Sequence, residues 1–236
     1  MTSFEESYLI AVEKWILENQ EEIEKAAEIL GESSDFLLTT VGQVFPLVKY
    51  FYVFTAKLLG NPNSYEDTYF TKQFKNVNRK LNEIKENMHE VERITMRSSL
   101  NMQMFKYEAQ IKFQYKMFMK IFTSESNKKL KIKEFVMMFE NADDEQNLNG
   151  LYDQVTGNNM SGRAMLDEIV QTEHPSRRAV VEFCAYLKKL FVFGIIALIG
   201  YTAIKKGDAG EDMVKKWQAR MEDVEKRMKA AVGESE

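Results

Sequence analysis

Cysteine is nearly missing from this chain. Its 236 residues hold one, Cys184, so no internal disulfide can form and nothing in the fold depends on an oxidising compartment. Histidine is almost as scarce. His89 and His174 each lack a second histidine or a cysteine nearby, which leaves a zinc site without local support. Prolines number 3 and glycines 11; both punctuate loops, so their scarcity predicts few, long elements. No excess of positive charge exists either. The net charge is −4, with both signs mixed along the chain, whereas a nucleic-acid binder needs a basic face to displace counterions. The opening stretch MTSFEESYLIAVEKW is acidic where a secretory signal is basic. The expectation is a cytoplasmic protein, at most peripheral to or inserted in a membrane.

What the chain does hold is helix former. Glu, Lys, Met, Leu and Ala dominate, and the expected fold is all-α: one helical-bundle domain over residues 1–236, elongated, with a long heptad-patterned helix at about 66–122 and a buried apolar helix at about 177–204. A first helix is read over 3–30. An apolar segment at 36–59, interrupted by Gly42 and Pro46, reads as kinked or in two pieces. Phe70, Phe74, Val77, Leu81, Ile84, Met88 and Val91 then step by four and three alternately. That is a heptad seam. A second seam follows at Met104, Tyr107, Ile111, Tyr115, Phe118 and Phe122. It is one residue out of register with the first, so a kink or brief unwinding is expected near Arg97, Ser98 and Ser99. Unbroken, a helix over 66–122 would run roughly 85 Å, which points to an elongated hairpin or bundle. Asp143, Asp144 and Glu145 read as an N-cap and first-turn acids for a helix carrying Leu148, Leu151 and Val155. The last helix, at 211–232, places Met213, Trp217, Met221, Val224 and Met228 on one stripe.

The constellations that resemble reactive chemistry fail on inspection. Cys184 sits between Phe183 and Ala185, with nothing beside it in sequence to lower its pKa. Residues 157–164 imitate a phosphate-binding loop, but Arg163 and Ala164 stand where that chemistry needs lysine and a hydroxyl. The acids near Asp143 do not fit a calcium loop. Glu86 and His89 have the spacing of a di-iron half-site, without a second copy. The reading is therefore of a protein with no catalytic residue, cofactor, metal or evident small-molecule substrate, which works through a protein partner or self-association, or at a membrane.

One segment has unusual character: the uncharged run LFVFGIIALIGYTAI, with Leu190, Phe191, Val192, Phe193, Gly194, Ile195, Ile196, Leu198, Ile199, Gly200 and Ile204. It reads either as the central core helix or as a membrane-inserting element. Its 15 residues reach about 22 Å as a helix, short of a bilayer core of roughly 30 Å. Lys188 and Lys189 precede it and Lys205 and Lys206 follow. Gly194 and Gly200 would admit a closely approaching backbone in either setting. A local basic cluster, Lys128, Lys129, Lys131 and Lys133, reads as a solvated helix face or as a contact for anionic lipid headgroups.

The carboxyl-terminal half resembles the Rapunzel family, known mainly from fish. The matching residues begin at Leu151, Tyr152 and Asp153 with Val155, Thr156 and Gly157. They continue through Arg178, Ala179 and Val180, then Glu182, Phe183 and Cys184, then Leu187, Lys188, Lys189, Leu190 and Phe191, and on to 194–198. Trp217, Met221, Val224 and Met228 look alike as well; upstream, Gln73, Phe74, Lys80, Leu81 and the 101–122 segment are similar in pattern. The likeness covers about 40–232 and is most specific at about 150–204. It implies a theme of fin and skeletal growth, and no enzymatic activity or catalytic residue. In shape alone, long helices with an apolar run are also similar to α-helical pore formers of the cytolysin-A type, an analogy that speaks weakly about function.

Overall fold

The structure is a computed structural model. It describes 101–234, apart from 124–125, 159–163, 172–175 and 207–210, together with Lys72, Lys75, Asn78, Arg79 and Asn82 upstream. The helices expected over 3–30 and 36–59, the first heptad seam, His89 and His174 lie outside the described residues, as does any test of a single domain spanning 1–236.

From Asn101 onward, the described residues form six helices in the order α1 Asn101–Thr123, α2 Lys128–Asn141, α3 Gln146–Thr156, α4 Met165–Gln171, α5 Arg177–Lys206 and α6 Glu211–Glu234. No strand occurs among the described residues, so the expected all-α bundle is what forms. α5 is the axis of the bundle and packs on α1, α2, α3 and α6. The second seam is the inner face of α1: Met104, Ile111, Tyr115, Phe118 and Phe122 are buried and Tyr107 half-buried. Burial extends to Met117, Met119 and Ile121, because α1 is enclosed on more than one side. On α6, Trp217, Met221, Val224 and Met228 are buried as the stripe predicts, with Ala231 continuing it, while Met213 is only half-buried.

Five described residues bear on the long helix expected over 66–122. Lys72, Lys75, Asn78, Arg79 and Asn82 are helical, and the Tyr115 hydroxyl donates to Asn78 Oδ1 at 3.0 Å. In one straight helix, residues that far apart in sequence would be separated by about 55 Å. Asn78 and Tyr115 therefore do not share one straight helix. The kink expected near Arg97, Ser98 and Ser99 lies outside the described residues.

The turn before α3 differs from its expected form. Glu145, not an aspartate, takes the N-cap position, and its side chain makes no capping bond. Asp143 and Asp144 adopt left-handed backbone, φ 65° and 53°, which aspartate tolerates better than most residues. The Asp144 carboxylate accepts the Glu145 N–H at 2.7 Å. These acids thus build a tight α2–α3 turn instead of capping a helix. Gln114 holds that turn from α1: its Nε2 donates toward the carbonyl oxygens of Phe139, Ala142 and Asp144 at 3.4, 3.2 and 3.1 Å. α3 ends at Gly157, whose φ of 82° and N–H bond to the Asp153 carbonyl make an ordinary left-handed cap. The loop that imitates a phosphate site therefore follows a helix, not a strand.

Candidate functional site

Three places on the described helices have the chemistry to matter: the apolar run on α5, a cleft between α5 and α6, and the basic end of the α1–α2 pair.

The apolar run is core. Leu190, Phe191, Val192, Phe193, Ile195, Ile196, Leu198 and Ile199 are all buried, as are Gly194 and Gly200, and Ile204 at its end is half-buried. Neighbouring helices supply the cover. The Phe193 ring stacks on Tyr115 at 4.1 Å. Tyr201 stacks on Phe139 of α2 at 4.4 Å and donates to Glu140 Oε1 at 2.7 Å. Lys205 pairs with the same carboxylate at 3.0 Å. The Tyr201 hydroxyl first, and then Lys205, hold the Glu140 carboxyl below its usual range. Both glycines permit close approach, though of side chains and not of backbone. A Cβ at Gly194 would meet Leu148 Cδ2 of α3 at 2.4 Å, and one at Gly200 would meet the Phe118 ring of α1 at 2.5 Å. The lysines before the run do not mark an aqueous boundary. Lys188 and Lys189 are buried, and Lys189 lies over the Phe193 ring at 5.6 Å, where an aliphatic stem packs while the ammonium keeps a favourable partner. Arg177–Thr202 is long and apolar enough to cross a membrane by length and composition, yet 94% of its most apolar window is buried inside the fold.

The cleft, about 310 Å³, lies between the first half of α5 and the last half of α6, with Val181, Cys184, Lys188, Glu225 and Met228 in its lining. Glu225 is 5% exposed; its Oε1 accepts Lys229 at 2.9 Å and its Oε2 has no hydrogen-bond partner. Cys184 is buried as expected. Desolvation pushes its thiol up to about 11, against a weaker opposing pull from Lys188, so the thiolate that a nucleophile requires is nearly absent at neutral pH. Among the described residues no group of three or more His, Cys, Asp or Glu side chains could hold a metal ion.

The third place is hidden by the whole-chain charge balance. Residues 101–133 carry eight lysines against Glu108 and Glu125, a local net of +6 in a chain of −4. The basic cluster at 128–133 opens α2. Lys116 and Lys120 near the end of α1 join it, a neighbourhood that a charge count over a sliding window would have found and a total cannot.

Comparison with known proteins agrees with this architecture. Residues 60–235 match the family model described as the cephalotoxin-like middle helical domain. Protein rapunzel of Danio rerio is 31% identical over 159 residues, covering 66% of this chain and 70% of that protein. No solved structure matches. With a domain match over most of its length and a relative of that identity, the chain belongs to the rapunzel-like family.

Proposed function

We propose that this rapunzel-like chain is a non-enzymatic helical protein that works as an intact bundle. It acts through its surface, on a protein partner, a second copy of itself or a membrane it visits reversibly. The setting is cytoplasmic, in the growth or skeletal-development context that its resemblance implies. One observation carries the reading: Ile195 and Leu198, at the centre of the apolar run, are 1% and 3% exposed. Side chains so enclosed each stabilise the fold by about 1.5–3 kcal/mol, and extracting α5 would surrender all of them at once. What is left for contact is the outside of the bundle.

The length and composition of Arg177–Thr202 favour a second reading, in which 190–204 leaves the bundle, inserts into a bilayer and opens a pore. Two measurements decide between them. Ile196→Lys places an unpaired charge at a position 3% exposed, which costs several kcal/mol in a core. The first reading expects this variant to lose its cooperative melt by circular dichroism. It also expects the wild-type protein to leave vesicles sealed to a trapped dye. Dye release together with an undisturbed Ile196→Lys melt would establish the pore instead.

A further inference from the structure

The closed end of the α1–α2 pair offers a surface whose partner can be named by chemistry. Lys116 and Lys120 lie in the last two turns of α1, and Lys129, Lys131 and Lys133 in the first two turns of α2. The short connection between the helices brings all five to one end. Lys131 pairs with Glu134 at 3.1 Å. Lys116, Lys120, Lys129 and Lys133 are exposed and make no ion pair among the described residues. Large apolar side chains stand among them in the open: Phe113 on α1, 40% exposed, and Leu130 on α2, 51% exposed. They fall on the same helical faces as the lysines. Phe113, Lys116 and Lys120 follow i, i+3, i+7, and so do Leu130, Lys133 and Met137, the last 50% exposed.

We infer that this end of the hairpin docks on the surface of an anionic lipid bilayer. The inference rests on the surface-contact reading above and names its partner. Lysine ammoniums satisfy anionic headgroups, and their stems reach past apolar neighbours to do so. Phe113, Leu130 and Met137 enter the boundary between headgroups and acyl chains, as the apolar face of an interfacial helix does. A soluble polyanion neutralises the lysines but has no apolar layer to receive those three side chains. The remainder of the chain is acidic, so the attraction is confined to this end and sets the orientation of the bundle on the membrane. α5 stays in the core throughout.

The test is flotation of the full chain with vesicles of phosphatidylcholine containing about a third phosphatidylserine, at about 0.1 M and 1 M salt. Each unpaired lysine near such a surface contributes roughly a fivefold factor in partitioning. The combined variant Lys116→Gln, Lys120→Gln, Lys129→Gln, Lys133→Gln is therefore expected to bind two to three orders of magnitude more weakly, with an unchanged melt because all four positions are exposed. Leu130→Ser, with every lysine retained, is expected to weaken binding by about tenfold. Binding should also fail at 1 M salt, where the screening length shrinks to about 3 Å, and on phosphatidylcholine alone. Absence of flotation on the anionic vesicles overturns the inference, as does equal binding to neutral ones or an unaffected lysine variant. Capture by polyglutamate without vesicle binding overturns it too, in favour of an acidic protein partner. Vesicles that stay sealed yet are not bound sink this inference alone; vesicles that leak sink the intact-bundle reading.

Discussion

Replacing Gly200 by alanine separates packing from helix propensity with opposite signs. In an interior turn of α5 taken by itself, alanine should stabilise by about 0.5–1 kcal/mol, since glycine loses more backbone freedom on folding. In the bundle the added Cβ would sit 2.5, 2.8 and 2.9 Å from three carbons of the Phe118 ring, well inside the roughly 3.5–4.0 Å at which carbons attract. The ring has little room to yield. Phe118 is fully buried and is flanked by Phe122 at 5.2 Å and Phe135 at 5.3 Å between centroids. Overpacking of this kind costs about 1–3 kcal/mol. The net expectation is destabilisation by about 1–2 kcal/mol, or a drop of about 2–8 °C in Tm for a chain of this size. Urea titration followed by circular dichroism would measure it. Combining Gly200→Ala with Phe118→Leu should recover part of the loss, a coupling that only contacting residues show. Gly194→Ala is the internal control: its obstacle is the end of the flexible Leu148 side chain, and its cost should be smaller. If Gly200→Ala is as stable as the wild type or more so, the Phe118 ring of α1 does not lie against Gly200 of α5.

Other consequences follow from polar groups in the core. Gln114→Leu strips the α2–α3 turn of the donor that faces three carbonyl oxygens; a loss of about 1–3 kcal/mol is expected, and hydrogen exchange at 142–145 should accelerate more than in α6. A stability unchanged by this substitution would mean that the turn holds itself. The Cys184 thiol is raised from 9.0 to about 11 in the folded chain, so its stabilising difference is whole below pH about 9 and fades as pH climbs towards 11. Cys184→Ala should accordingly lose less stability than wild type across that window. Alkylation of the native thiol at pH 8 should run about a hundredfold slower than in the urea-unfolded chain, since two pKa units separate their thiolate populations. Native labelling as fast as unfolded labelling would show that Cys184 is not buried.

Local chemistry alone wrote a good part of this protein. Scarce proline and glycine, strong helix formers and apolar spacings of three and four determine that α1, α5 and α6 exist and which faces turn inward. The 217–228 stripe and the 104–122 seam pack much as their spacing dictates, because the period of a helix is a property of the backbone itself. The resemblance to the rapunzel family was also legible, around 150–204. Elsewhere the local signals were ambiguous. Asp143, Asp144 and Glu145 read as an N-cap and first-turn acids, and aspartate serves equally well at an N-cap and in a left-handed turn; the turn prevailed for Asp143 and Asp144, where Gln114 reaches over from α1. The basic end of the α1–α2 pair was read only at 128–133; a local charge count would have added Lys116 and Lys120, but their place at the same end comes from the chain folding back on itself. The run at 190–204 posed the hardest case, because a buried core helix and a membrane helix share one composition. In the fold the run is covered by Tyr115, Phe118, Phe139 and Leu148, which come from three other helices and lie tens of residues away in sequence. Burial is a relation between distant segments, and only tertiary packing brings them together.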